Sequence, residues 1–203
     1  MDFATWLAFV AAAAVMVLIP GPTILLVVGQ ALGGGTRSAL PLAAGVALGD
    51  LTAMTLSLAG LGAVLAASAT AFTALKWAGA AYLVWLGVKM WRAPVMAEAA
   101  PPLPPGRAMR EAYVVTALNP KGIVFFIAFV PQFMDPARPF AVQAAILVAT
   151  FVTLAALNAA GYALLAARLS GAMRRPGLRR ALNRMGGALL VAAGLAVALR
   201  RAG

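Results

Sequence analysis

The chain of 203 residues contains no cysteine and no histidine, and only five acidic residues, Asp2, Asp50, Glu98, Glu111 and Asp135. The absence of cysteine excludes disulfides and thiolate metal sites. The absence of histidine excludes the HExxH zinc pair, Cys–His dyads and Ser–His–Asp triads. Most hydrolytic membrane enzymes go with them. Four of the five carboxylates lie near chain ends or linkers, so little is left for acid–base catalysis and the chain does not read as an enzyme. No cofactor is expected: the "GGG" at 33–35 lacks the Lys-Ser/Thr of a phosphate loop and reads as flexible linker.

What is present is apolar. Hydrophobic residues make up 64% of the chain and charged residues 10%, with a mean hydropathy of +0.95; soluble domains run at about 45–50% apolar and about 25% charged. This is the composition of an all-α integral membrane protein. The length fits about six spans of roughly 20 residues each, with no room for a separate nucleotide-binding or catalytic domain. Apolar runs fall at 4–29, 40–66, 70–91, 111–133, 140–166 and 182–199. Asp2 stands where a signal peptide would be basic, so the first run reads as a span. Trp6, Trp77, Trp85, Trp91, Tyr82 and Tyr113 fit interfacial belts or packing.

A formal charge of +11 would suggest nucleic acid in a soluble protein, but here the basic residues sit between apolar runs, where they set topology. The first, third and fifth linkers carry 11 of the 16: Arg37; Lys89, Arg92, Arg107 and Arg110; Arg168, Arg174, Arg175, Arg179, Arg180 and Arg184. Lys76, Arg138, Arg200 and Arg201 occupy the other linkers and the C-terminus. The basic linkers are therefore expected in the cytoplasm with both termini outside, and the run "RRPGLRR" is expected to contact anionic lipid.

The Pro- and Ala-rich third linker, about 93–110, reads as a semi-extended tether dividing the single domain (1–203) into halves of about 1–92 and 111–203. Each half has three spans. Because three is odd, halves sharing a fold must be inverted relative to each other. The first span of each half is interrupted in its interior, by "IPGPT" (19–23) and by "LNPKG" (118–122), and paired interruptions are the best sequence pointer to a transport site.

Counted from the cytoplasmic ends, Gly21, Asp50, Asn119–Lys121 and Asn158 lie roughly 8–10 residues in. That places them about 12–15 Å deep in a hydrocarbon core of about 30 Å. Asp50 and Lys121 are the formal charges well inside spans, at a cost of roughly 2.5–3.5 kcal/mol each. A structural ion pair between them is the bland reading; for Asn158 it is an interhelical hydrogen bond. A half-helix starting near Thr23 would offer free N–H groups to a carboxylate. One ending before Asn119 would offer carbonyls to a cation. A pocket lined by Pro20, Gly21, Pro22, Thr23, Asp50, Asn119, Pro120, Lys121 and Asn158 thus has both signs of charge and suits a zwitterion. The breaks would act as hinges, Lys121 and the Thr23 half-helix would hold the carboxylate, and Asp50 would bind the amino group or carry a coupling proton. Separately, "GVALG" (Gly45, Gly49) permits close helix approach, within the monomer or in a homodimer.

"PGPTILLVVGQAL" (20–32), "GVALGD" (45–50), "KWAGAAYLVWLGVKMWRA" (76–93), "LNPKGIVFFIAFVPQF" (118–133) and "AALNAAGYALLA" (155–166) together resemble the lysine exporter / homoserine–threonine exporter (LysE/RhtB) family. The resemblance covers nearly the whole chain. It implies a secondary exporter of amino acids or related metabolites in the bacterial cytoplasmic membrane, driven by the proton gradient. A cation exporter of the same architecture, with Asp50, Asn158 and break carbonyls on the ion, is the alternative; one deep carboxylate and no His or Cys count against a soft divalent ion.

Overall fold

Proline here starts helices. Pro22, Pro105, Pro120 and Pro176 are each the first residue of an α-helix, where the missing N–H has no intrahelical partner to lose and the fixed φ already fits. The computed structural model describes residues 1–67, 69–92, 103–168 and 176–199. They form α1 (Phe3–Leu18), α2 (Pro22–Gly34), α3 (Ala39–Ala67), α4 (Ala69–Arg92), α5 (Pro105–Ala117), α6 (Pro120–Ala128), α7 (Phe140–Arg168) and α8 (Pro176–Leu199). Two short 3-10 turns, Gly35–Ser38 and Val130–Phe133, follow α2 and α6. No strand occurs among the described residues.

The run expected at 4–29 is two helices separated by Ile19–Gly21, and the run expected at 111–133 is two helices separated by Leu118 and Asn119. The second begins earlier than expected, at Pro105. Its first turns bury Ala108, Ala112 and Thr116 at helical spacing while Arg107 and Glu111 pair at 3.6 Å on the exposed side, an amphipathic pattern that a search for apolar runs passes over. The tether reading of the third linker fails from 105 onward; residues 93–102 lie outside the described residues, as do Arg174, Arg175, Arg200 and Arg201. The flexible-linker reading of "GGG" is also corrected. Gly33 and Gly34 complete α2, and Gly35, with φ +66° and ψ −161°, takes a positive-φ extended conformation that glycine adopts at little cost.

At the start of α1, Asp2 accepts the Thr5 N–H at 2.7 Å, a helix N-cap whose hydrogen bonds hold its carboxyl below the usual range. α1 runs parallel to α7, with Trp6 Nε1 donating to Thr150 Oγ1 at 3.1 Å. α3 runs parallel to α5: Gly45 faces Met109 and Ala112, and Gly49 faces Tyr113 and Thr116, where a Cβ would come within 2.8 Å of the Tyr113 carbonyl. The close approach offered by "GVALG" is thus used inside the chain. α4 and α8 cross antiparallel. A Cβ on Gly87 would meet the Gly187 carbonyl at 2.6 Å and the reverse contact is the same length, while Gly194 lies against Ala80.

Among the described residues the element order is repeated: two short helices, a 3-10 turn, a 29-residue helix and a 24-residue helix, twice. Phe140–Arg168 is long and apolar enough to cross a membrane, and Phe3–Leu18 is a shorter apolar helix. The Leu103 N–H donates to Gln30 Oε1 at 3.1 Å and ties the start of α5 to the end of α2. With the helix directions above, this gathers Arg37, Arg92, Arg107, Arg110, Arg168 and Arg180 at one end. At the other end, Arg138 donates to the Met1 carbonyl at 3.1 Å, while Gln143 grips the 135–138 turn through Asp135 and Arg138. Between the ends lies an aromatic core in which Phe126 meets Phe151 edge-on at 4.9 Å and Phe125 stacks on Phe129 at 5.3 Å.

Candidate functional site

A helix ends with carbonyls that have no intrahelical partner, and a membrane interior supplies no water to satisfy them. α1 ends in this way at the first break, and side chains from α6 and α7 take every one of its last carbonyls. Lys121 Nζ donates to Met16 O at 3.1 Å and Ile19 O at 2.7 Å; Asn158 Nδ2 donates to Val17 O at 2.8 Å; the Tyr162 hydroxyl donates to Leu18 O at 2.9 Å. Lys121 belongs to the first turn of α6, the positive and unfavourable end for a cation. Its stem instead carries the ammonium to the negative end of α1.

The second break closes itself. Asn119 Oδ1 accepts the Lys121 N–H at 3.1 Å, capping α6, and Asn119 Nδ2 donates to Thr23 Oγ1 at 3.1 Å. Thr116 and Thr23 share a hydroxyl contact of 3.3 Å. Each break therefore reaches across to the other. By contrast α2 has no side-chain cap, because its N-cap is Gly21. Its first backbone bond runs from Leu25 N–H to Gly21 O at 2.9 Å, so the Thr23 and Ile24 N–H groups precede the helical ladder and point out of its positive end.

Those groups border a cavity lined by Met16, Val17, Thr23, Ile24, Val46, Asp50, Asn119, Lys121, Gly122, Phe151, Ala155 and Asn158. The room for water-molecule centres is about 40 Å³, enough for on the order of three waters. Asp50, on α3, is 8% exposed. Among the described residues it has no hydrogen-bond partner and no ion pair within 4.0 Å. Its Oδ1 lies against α6, 4.0 Å from where a Gly122 Cβ would stand. The reading of Asp50 and Lys121 as a direct ion pair is thus corrected: the α1 carbonyls hold the ammonium and leave the carboxylate facing the cavity.

Of the nine residues expected to line a pocket, Thr23, Asp50, Asn119, Lys121 and Asn158 do so. Pro20, Gly21, Pro22 and Pro120 shape the breaks without lining the cavity; Gly21 backs Lys121, whose Cε and Nζ would touch an added Cβ at 3.4 Å. Sequence reasoning assigned carbonyls to the second break and N–H groups to the first, and so missed the carbonyls of α1. It also missed Thr116, Phe151 and Tyr162. For Tyr162 a signal existed, since it follows Asn158 at the i, i+4 spacing that places two side chains on one helix face.

The cavity lining thus includes one carboxylate, from α3, the two residues whose N–H groups precede the α2 ladder, and the Lys121 ammonium, which gives two of its protons to the α1 carbonyls. That arrangement can hold a small molecule bearing both an ammonium and a carboxylate. Among the described residues no three His, Cys, Asp or Glu side chains come together.

The LysE type translocator family model matches residues 14–201. The chain is 38% identical over 205 residues to an uncharacterized membrane protein of Vibrio cholerae, covering 100% of both chains. It is 35% identical over 204 residues to the homoserine/homoserine lactone efflux protein of Salmonella typhimurium, covering 99% of both. It is 34% identical over 131 residues to the leucine efflux protein of an Enterobacter species, covering 63% of this chain and 62% of that one. No solved structure matches. A family model spanning almost the whole chain, with full-length relatives among membrane and efflux proteins, makes this chain a member of the LysE-type translocator family.

Proposed function

We propose that the protein is a secondary-active exporter of amino acids or closely related small metabolites, working by alternating access around the cavity between the two breaks and coupled to protons. The observation that carries this reading is Asp50: a buried carboxylate without a protein partner, facing a cavity bordered by a helix N-terminus. In this reading Asp50 receives the ammonium of the cargo or, between cargoes, the coupling proton. The Thr23 and Ile24 N–H groups, with the free proton of Lys121, receive the carboxylate. Export as the direction, and amino acids as the class, follow the efflux relatives.

The cavity has room for about three waters, and in this reading the breaks part to admit and release cargo. The bonds that cross between them, Lys121 to the α1 carbonyls and Asn119 to Thr23, are those that rearrange. The antiparallel crossing of α4 and α8 and the repeated element order support two inverted halves, about 1–92 and 111–203, forming six membrane crossings in one transporter domain. The basic end would then face the cytoplasm, against anionic lipid, with both termini outside the bacterial cytoplasmic membrane. A divalent-cation exporter gains little from a cavity with a single carboxylate.

The test is counterflow of a panel of amino acids in proteoliposomes, with and without an imposed pH gradient. Accelerated exchange of at least one amino acid, stimulated by the gradient, is expected. Exchange of none, or exchange indifferent to the gradient, would remove respectively the cargo or the coupling from this account.

A further inference from the structure

The way Lys121 is held carries an inference that no resemblance to an efflux protein supplies. Its ammonium lies 3.1 Å from Met16 O and 2.7 Å from Ile19 O, at the negative end of α1, in the cavity that Asp50 also lines. In transporters built on broken helices, unwound carbonyls and half-helix C-termini are where a coupling cation is coordinated. Here that place is taken by an ammonium delivered on a side chain. The side chain comes from the wrong end of α6 for a cation and is 7% exposed. Two neutral carbonyls at a helix C-terminus form a pair of oxygen ligands for a single positive charge, and an unpartnered carboxylate in the same cavity adds a negative field there.

We propose that the Met16 and Ile19 carbonyls, in the cavity that Asp50 also lines, form a monovalent-cation site whose resident cation is the Lys121 ammonium, and that removing the ammonium opens this site to a free cation. The two separations suit an ammonium or potassium ion better than a smaller, harder ion. Two consequences follow. With the ammonium in place, the protein gains nothing from added alkali cations, so on the exporter reading transport needs no sodium. Without it, the two carbonyls lose their donor beside a carboxylate that has no protein partner, and a cation from solution relieves them.

The experiment uses the purified full chain in detergent and needs no cargo, so its failure is separate from failure of the exporter reading. Thermal unfolding of the wild type, Lys121→Met and Lys121→Ala is compared in potassium, ammonium, sodium and choline chloride at equal ionic strength. Methionine keeps most of the stem and lacks the charge; alanine also opens room for hydrating water. The expected result is a wild type with the same Tm in all four salts. The variants should be lowest in choline and rise by about 2–4 °C in potassium or ammonium once that cation reaches about five times its Kd, with a smaller rise in sodium. A rise in any of the three small cations over choline, in either variant, supports the site. Variants equally unstable, or equally unable to fold, in all four salts overturn it, as does a wild type that responds to the cations as strongly as the variants.

Discussion

The two breaks look alike in sequence, each a proline within an apolar run, yet they are held in opposite ways. At the second, the chain closes the gap itself: Asn119 caps α6 with its own side chain. At the first, Gly21 has no side chain to cap α2, and the carbonyls of α1 are satisfied from outside by Lys121, Asn158 and Tyr162. The self-capped break keeps one N–H ahead of its helical ladder, that of Gly122, because Asn119 takes that of Lys121. The uncapped one keeps two, those of Thr23 and Ile24, and its shape depends on side chains from the other half.

The largest effect is expected at Asp50, the carboxylate in the cavity that the uncapped start of α2 also lines. Asp50→Asn is expected to reduce proton-driven transport to background while the protein stays monodisperse in detergent, since no protein hydrogen bond is lost. Transport at the wild-type rate in this variant would remove Asp50 from the mechanism. Next in size is the attempt to make the first break resemble the second. Gly21→Ser should supply the missing cap, with the Oγ accepting the Thr23 or Ile24 N–H, and the stem of Lys121 leaves room for a Cβ. The account predicts KM higher by roughly 10-fold or more, from the loss of a hydrogen bond to a charged group worth about 1.5–3 kcal/mol, with stability changed by only a few tenths of a kcal/mol. An unchanged KM would mean that the amides do not meet cargo.

The converse change, Asn119→Ala, removes the cap of α6 and the link to Thr23. A loss of about 1 kcal/mol is expected for the cap, read as a lower thermal midpoint, with a smaller effect on KM than Gly21→Ser. Tyr162→Phe should have the smallest effect. The Leu18 carbonyl loses a partner at a site open to the surroundings, so about 0.5–1.5 kcal/mol of stability is expected to go, with transport close to that of the wild type.

Much of the site is legible in the sequence because membrane interiors make polar residues conspicuous. Asp50, Lys121, Asn119 and Asn158 stand out against apolar neighbours, and all four line one cavity. What the sequence hides is direction. Lys121 reads as a free cation for a carboxylate, but the orphan carbonyls of α1 compete for it and take two of its three protons, and nothing in "IPGPT" announces that those carbonyls are there. Tyr162 is hidden for a related reason: tyrosine in a membrane helix reads as packing or interface until the carbonyl it serves is located. In the fold, the helix starts at Pro105 and Pro176 are hidden because their first turns are amphipathic or basic, and hydropathy sees only uniformly apolar runs.

The central claim is that a carboxylate on α3 and the uncapped amides of α2 together receive a zwitterion. It is tested most directly by equilibrium binding of three ligands to the purified protein: an amino acid that the protein transports, its amide, which lacks the carboxylate, and its deaminated analogue, which lacks the ammonium. The account predicts that only the intact amino acid binds well, with each analogue weakened by roughly 10-fold or more for its missing charged hydrogen bond. If either analogue binds as tightly as the amino acid, the corresponding half of the site is wrongly assigned.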